Sequence, residues 1–259
     1  MHHKARKRFG QHFLTDPMII DRIVSAMHLA ASDTVIEIGP GLGALTLPLL
    51  QQLNQLTVIE IDRDLIARLR SFAPTDRLTL VQADVLKVDV ANLITQYPCK
   101  IVGNLPYNIS TPLLFHLLQT ASHIDGMWFM LQHEVAQRLA ASPNQAAYGR
   151  LSIMAQYHCQ IHYLFHVPPQ AFHPPPKVDS AVVWLQPHTK LPHIANDYAH
   201  LNQLVTAAFS QRRKTIRNAL KNYVPEHTFS QLAIDPTVRP AELSLAQYVK
   251  LSNHLGCPL

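Results

Sequence analysis

Residues 103–110 read GNLPYNIS and combine an amide, a proline and an aromatic ring directly after a short apolar run. An adenine amino group is a poor nucleophile, and hydrogen-bond acceptors on both of its N–H bonds favour the geometry in which it takes a methyl group. The side-chain carbonyl of Asn104 is one candidate acceptor, and a backbone carbonyl near Leu105, oriented by Pro106, is the other. The Tyr107 ring offers a face for an extruded base. The alternative is a turn that only ends the strand and has no ligand pocket beside it.

A glycine-rich loop, EIGPGLG at residues 37–43, follows another apolar run. Gly39 and Gly41 allow the backbone to turn and to approach a ligand closely. With the alanine that follows, the loop also fits the dinucleotide fingerprint, which alone is a weak signal. Glu60 is placed to accept hydrogen bonds from ribose hydroxyls. Asp84 could accept one from an adenine amine or could instead cap the turn after it. These residues predict a pocket for an adenosine moiety, which both NAD and S-adenosylmethionine carry.

Strands and helices alternate through the first half of the chain, which predicts an α/β fold with a Rossmann-like parallel sheet. We expect strands at 34–38, 56–61, 78–82, 100–103 and 127–131, and helices at 44–53, 63–72, 113–121 and 134–141. Later strands at 161–167 and 180–185 should close the sheet around a proline-rich loop. Because right-handed crossovers bring the loops after parallel strands to one edge, the glycine loop, Glu60, Asp84 and Asn104 should meet there.

The pattern becomes helical beyond residue 187. We expect helices at 201–209, 212–222, 228–233 and 243–255. The chain is therefore predicted to divide into a sheet-bearing domain, residues 1–187, and a small all-α domain, residues 188–259.

The net charge of +5 is concentrated at the two ends of the chain, since residues 1–8 and residues 190–259 each carry +4 and the stretch between carries −3. Basic ends indicate contact with a polyanion such as RNA, although ordinary solvated charge is the alternative. Arg213, Arg217 and Lys221 would share one helical stripe that suits a phosphate backbone. The candidate RNA-binding residues are Lys4, Arg6, Lys7, Arg8, Arg212, Arg213, Lys214, Arg217 and Lys221.

The sequence offers few signs of other classes of protein. No apolar stretch is long enough to cross a bilayer, and three cysteines do not make a disulfide framework. Without paired Cys-x-x-Cys motifs we expect no metal site. A soluble, cytoplasmic protein is predicted.

At this point the sequence resembles the rRNA adenine N6-dimethyltransferases, and more narrowly those of the small-subunit type. The motifs fall in family order: RKRFGQHFL at 6–14, EIGPGLG at 37–43, Glu60, Asp84, NLPY at 104–107 and FHPPPKVDS at 172–180. The segment QRRKTIRNAL at 211–220 resembles the helical segment of the small-subunit type.

The resemblance implies a methyltransferase sheet that binds S-adenosylmethionine. The implied cofactor contacts are His12, Leu14, Gly39, Gly41, Glu60, Asp84 and Asn104. Tyr107 and Phe172 would flank the target base, although Phe172 could simply be core.

The implied substrate is a pair of adjacent adenosines in a hairpin near the 3′ end of 16S rRNA, in the immature small ribosomal subunit. Each adenosine would become N6,N6-dimethyladenosine, and the enzyme is expected to be a monomer. The alternatives are a large-subunit rRNA dimethylase, an assembly factor in which RNA binding matters more than catalysis, and a nicotinamide-dependent dehydrogenase.

Overall fold

The structure is a computed structural model, and it describes residues 11–72, 76–94 and 96–256. In chain order the strands are β1 Phe13–Leu14, β2 Thr34–Ile38, β3 Leu56–Glu60, β4 Leu78–Gln82, β5 Cys99–Asn104, β6 Gly126–Gln132, β7 Cys159–Val167, β8 Phe172–His173 and β9 Ser180–Pro187. The helices are α1 Pro17–Ala26, α2 Thr46–Gln52, α3 Arg63–Phe72, α4 Ser110–Leu118, α5 His133–Ala140, α6 Arg150–His158, α7 Tyr198–Ser210, α8 Ile216–Ala219, α9 Glu226–Gln231 and α10 Leu245–Leu255.

A seven-stranded sheet of order β4-β3-β2-β5-β6-β9-β7 forms the centre of the first part of the chain. The strands from β4 to β6 are parallel to their neighbours, whereas β9 runs antiparallel to β6. The apolar runs of β2, β5 and β6 are almost entirely buried, as expected of strands covered on both faces. This arrangement confirms the predicted α/β, Rossmann-like fold.

The direction of winding changes between β2 and β5, because β2 pairs with β3 on one side and with β5 on the other. Open α/β sheets bind ligands in the crevice at such a point, beyond the carboxyl ends of the strands. The glycine loop follows β2, and the segment beginning at Leu105 follows β5. The topology therefore brings the two motifs to one crevice.

A short two-stranded sheet joins β1 to β8, with Leu14 opposite Phe172 and Phe13 opposite His173. The Thr15 N–H also donates to the Ala171 carbonyl oxygen at 2.8 Å. The sequence did not predict this pairing, because two-residue strands carry no periodicity. It fastens the residues after His12 to the proline-rich loop.

The described chain divides into two compact units, residues 11–136 with 160–187 and residues 137–159 with 188–256. The second unit therefore includes residues 137–159, which were predicted to belong to the first domain. The reason is local: α6 contacts α7 and α10. The Gln156 side chain also donates to the carbonyl oxygens of Leu139 and Ala141, at 2.9 and 2.8 Å.

The helix predicted over 212–222 is wrong, since α8 covers only four residues of that segment. The Ile216 N–H donates to the Val238 carbonyl oxygen at 2.6 Å, and the Arg217 N–H donates to that of Pro236 at 3.3 Å. These N–H groups are thus bonded to a later segment and not to the preceding turn. The basic side chains do not form the single helical stripe that their spacing predicted.

Within residues 11–72, 76–94 and 96–256, no helix combines the length and the apolar character that a bilayer span requires. The same residues contain no cluster of three or more His, Cys, Asp or Glu side chains suited to a metal ion.

Candidate active site

A cavity opens at the carboxyl ends of β2, β3 and β5, where the winding of the sheet reverses. It brings together most of the predicted cofactor and acceptor residues. Those that line it are His12, Leu14, Gly39, Gly41, Glu60, Asp84, Asn104, Leu105, Pro106 and Tyr107.

The glycine loop needs its glycines for two separate reasons. Gly39 and Gly41 have φ angles of 68° and 58°, in the left-handed region that other residues rarely adopt. A Cβ atom at Gly41 would also lie 3.1 Å from a ring carbon of Phe13. At these two positions the cavity is therefore lined by backbone atoms without side chains.

The Glu60 carboxylate is held by two backbone donors, the Asp62 N–H at 2.9 Å and the Gly41 N–H at 3.4 Å. Burial raises the pKa of Glu60 above its usual value, while these hydrogen bonds act in the opposite direction. The side chain is only 7% exposed and remains at the cavity wall. It is therefore pre-oriented to accept hydrogen bonds from a ligand.

Glu37 also lines the cavity, although it was not among the site residues predicted from the sequence. Burial raises its pKa to about 8, against the lowering effect of the hydrogen bond that Thr46 Oγ1 donates at 2.7 Å. The available signal was an acid inside an otherwise apolar strand, which is costly unless the acid is used or neutralised. The cavity thus has two acidic side chains on neighbouring strands.

Asp84 has the capping role that the sequence left open, and it also lies at the cavity. Its Oδ1 accepts a hydrogen bond from the Leu86 N–H at 3.1 Å and so caps a short 3-10 helix, Val85–Lys87. The residue also lines the cavity. A capping carboxylate retains further lone pairs for a ligand.

His12 connects the N-terminal motif to the acceptor motif. Its carbonyl oxygen accepts a hydrogen bond from Asn104 Nδ2 at 2.9 Å. Its ring Nδ1 lies 2.8 Å from the Pro174 carbonyl oxygen, so this nitrogen carries the proton and donates it. The His12 ring also stacks on the Tyr107 ring, with centroids 5.6 Å apart and planes at 26°.

Hydrogen bonds hold Asn104, Leu105 and Tyr107 of the acceptor motif in place. Because Asn104 Nδ2 donates a hydrogen bond to the His12 carbonyl oxygen, the Oδ1 oxygen of the same amide points away from that bond. The Leu105 N–H donates to the Met130 carbonyl oxygen at 3.2 Å. Tyr107 places its hydroxyl 2.6 Å from Ser180 Oγ, and burial raises its pKa above the usual value, which keeps the phenol neutral.

Phe172 is not at the cavity. Its side chain is 3% exposed and belongs to the buried core cluster with Leu14 and Trp128. Pairing in the β1–β8 sheet turns it inward, which favours the core interpretation over base stacking. Sequence position alone could not show which way the ring points.

The predicted RNA-binding residues have different environments. Lys4, Arg6, Lys7 and Arg8 lie outside the described residues. Arg212 donates to the carbonyl oxygens of Ala146 and Tyr148, so its guanidinium holds a loop of the second unit in place. The other predicted residues of this segment, Arg213, Lys214, Arg217 and Lys221, are exposed and do not hold that loop. Among these, Arg217 pairs with Glu226 at 2.8 Å.

Several known proteins are similar to this chain in sequence and in fold. The "Ribosomal RNA small subunit methyltransferase A" of Alcanivorax borkumensis is 56% identical over 97% of this chain and 90% of its own length. That of Methylobacillus flagellatus is 51% identical over 99% of this chain and all of its own length. A dimethyladenosine transferase from Plasmodium falciparum superposes with a TM-score of 0.79 at 26% identity, over 93% of this chain and 96% of its own.

The structure of the 23S rRNA methyltransferase ErmE has the same fold, with a TM-score of 0.72 at 24% identity. It covers 94% of this chain and 99% of its own. Residues 2–256 match the family described as ribosomal RNA adenine dimethylase. The chain therefore belongs to that family of S-adenosylmethionine-dependent methyltransferases.

Proposed function

We propose that the protein dimethylates N6 of two adjacent adenosines in the 3′-terminal hairpin of 16S rRNA, within the immature small ribosomal subunit. It acts in the cytoplasm as a monomer. The observation that carries the proposal is the Asn104 amide, fixed by its bond to His12 beside the cavity that Glu60 and the glycine loop line. The relatives named small-subunit methyltransferases support the choice of the small subunit over the large one.

S-adenosylmethionine fits this cavity, since the glycine loop offers backbone walls and Glu60 and Asp84 offer acceptors for hydroxyl and amine groups. When bound, it supplies an electrophilic methyl group. Glu60 would hold the ribose hydroxyls, and Asp84 would accept from the adenine amine of the cofactor. Leu14, held by the β1–β8 pairing, and His12, held by its hydrogen bonds to Asn104 and Pro174, would line the site beside the cofactor.

The acceptor motif would prepare the target amine. Asn104 Oδ1 and the Leu105 carbonyl would accept from its two N–H bonds, which stabilises positive charge developing on the nitrogen. Tyr107 would stack on the base. The methylated ammonium is acidic and loses its proton without a dedicated base. A monomethylated amine retains one N–H, so a single acceptor suffices for the second transfer.

Replacing Asn104 by alanine tests this function. We expect Asn104→Ala to lower the rate of methyl transfer by about a hundredfold or more, the typical effect of losing one group that stabilises developing charge. The assay is transfer of labelled methyl groups to small subunits purified from cells that lack the enzyme, with the modified nucleotides mapped. Asn54→Ala is the control, because that side chain is exposed at the opposite ends of the strands.

Two results would contradict the proposal. Label that appeared only in large-subunit rRNA would favour the large-subunit alternative. Equal activity of Asn104→Ala and wild type would show that the amide does not take part in the transfer.

A further inference from the structure

A cluster of side chains beside the acceptor motif has no part in the proposed chemistry. We call it the histidine–tyrosine surface, and it consists of His133, Tyr163, His166 and Asp179. The Tyr163 hydroxyl lies 3.2 Å from His133 Nδ1, and His166 Nε2 lies 3.3 Å from Asp179 Oδ2. The His133 ring meets the rings of Tyr163 and His166 edge to face, at centroid distances of 5.9 and 5.6 Å.

Main-chain geometry connects this surface to the target-base site. The His133 N–H donates to the Asp179 carbonyl oxygen at 2.9 Å. The residue after Asp179 is Ser180, whose hydroxyl lies 2.6 Å from that of Tyr107. The surface is thus one residue removed from the side chain that would stack on the target adenine.

The surface is accessible and carries groups that suit a nucleotide. Tyr163 is 38% exposed, and the side chains of His166 and Asp179 are 46% and 52% exposed. Because His133 meets Tyr163 at 89°, the two rings are not stacked on each other. An exposed ring offers a base a stacking partner, while imidazole and carboxylate groups can bond base edges and ribose hydroxyls.

We propose that the histidine–tyrosine surface holds the nucleotide next to the target adenosine, with its base stacked on Tyr163. This inference rests on the proposed function, in which the substrate is two adjacent adenosines. RNA is favoured over a protein partner because the surface adjoins Tyr107 through Ser180 and Asp179. When one adenosine lies at Tyr107, this surface is within reach of its neighbour, because Asp179 directly precedes Ser180, whose hydroxyl contacts that of Tyr107.

The test compares three variants on undermethylated small subunits that carry either the two adenosines or a version with one of them replaced by uridine. We expect Tyr163→Leu to raise KM for the adenosine pair about tenfold, the effect of losing one stacked base, with kcat little changed. Tyr163→Phe keeps the ring and should behave as wild type. Tyr97→Leu is the control, because Tyr97 is 65% exposed and lies just before β5, at the strand ends opposite the cavity.

The uridine subunits show whether the effect depends on the neighbouring base. A pyrimidine stacks less well than a purine, so Tyr163→Leu should raise KM for these subunits much less. An equal rise on both substrates, an equal loss in Tyr163→Phe, or no rise at all would overturn the inference. If the wild-type protein methylated neither substrate, the proposed function itself would be wrong. That result differs from every outcome that would overturn only the inference about Tyr163.

Discussion

Glu60 combines two roles at the level of a single residue, because its carboxylate accepts a hydrogen bond from the glycine loop and lines the cavity. One oxygen accepts from the Asp62 N–H and the other from the Gly41 N–H. A glutamine in its place has only one acceptor oxygen, so one of these N–H groups would face an NH2 group. We therefore expect Glu60→Gln to weaken S-adenosylmethionine binding by roughly 10- to 100-fold, the effect of losing a charge-assisted hydrogen bond.

Calorimetric titration with S-adenosylmethionine measures this loss directly. Glu226→Gln is the control, since the Glu226 side chain is 71% exposed and its pair with Arg217 lies at the surface. Unchanged affinity of Glu60→Gln would show that this carboxylate does not hold the cofactor.

Single residues at strand ends were predictable, whereas the direction of a ring was not. Glu60, Asp84 and Asn104 line the cavity as expected, because parallel strands deliver their carboxyl ends to one edge. Phe172 follows a predicted strand as well, but pairing with Leu14 buries it. That pairing joins residues 158 positions apart, a relation that no local pattern contains.

An ion pair at the opposite ends of the strands stabilises the elements that precede the site. Lys100, at the start of β5, donates to Asp33 at 2.7 Å and to the carbonyl oxygens of Met27 and His28 at 3.2 and 3.3 Å. The side chains of Lys100 and Asp33 are only 11% and 13% exposed. The pair therefore ties the segment after α1 to the central sheet.

This ion pair predicts a pH-dependent contribution to stability. Burial acts to raise the pKa of Asp33, but the hydrogen bonds from Lys100 and from the Ala30 N–H outweigh it and leave the pKa below its usual value. The stabilisation is thus complete above the unfolded-state pKa, near 4, and is lost as the pH falls through the lower folded-state pKa. We expect Asp33→Asn to lower the free energy of unfolding by about 2 kcal/mol at pH 7, because it removes a hydrogen bond between two charged groups.

Urea denaturation at pH 7 and at pH 3 measures the difference between wild type and Asp33→Asn. The difference should shrink at the lower pH. Asp76→Asn is the control, because Asp76 is an exposed acid. A difference that stayed constant between the two pH values would exclude the ion pair as its source.

Long periodic elements were predicted well, and short or tertiary-bonded ones were not. The five parallel strands have nearly the expected bounds, because each is a short run in which apolar and β-branched residues predominate. The segment 212–222 has a helical spacing of basic residues, yet Thr215 caps a new, shorter helix there. Hydrogen bonds from the N–H groups of Ile216 and Arg217 to residues 236–238 determine where this helix begins. A pattern of neighbouring residues cannot predict bonds to a segment about 20 positions away.

At the scale of the whole molecule, the distribution of charge is plain from the sequence, but the fold does not explain it. The excess of Lys and Arg lies in the terminal segments, while the sheet-bearing stretch is slightly acidic. Such a distribution suits an enzyme whose cofactor pocket is acidic and whose substrate is a polyanion. The composition predicted the class of partner, but it could not separate Arg212, which supports a loop, from its exposed neighbours.

The exposed basic residues of the second unit predict a salt-dependent part of RNA binding. Each phosphate contact that is removed should lower the steepness of log K against log salt concentration by roughly 0.7 to 0.9. Replacing Arg213, Lys214 and Lys221 together by alanine should therefore reduce this slope by about 2 to 3 and weaken binding at low salt. Arg217 is left in place because its pair with Glu226 would complicate the comparison.

Binding of small-subunit rRNA measured over a series of salt concentrations gives the slope for each protein. The charge-matched control replaces Arg63, Arg68 and Arg70 of α3, which are also exposed but lie outside the predicted RNA-binding set. If general attraction to net positive charge governed binding, both triple variants would lose affinity equally, because each removes three charges. A loss confined to the first variant would instead place the phosphate contacts on the segment around α8, since only that variant alters it.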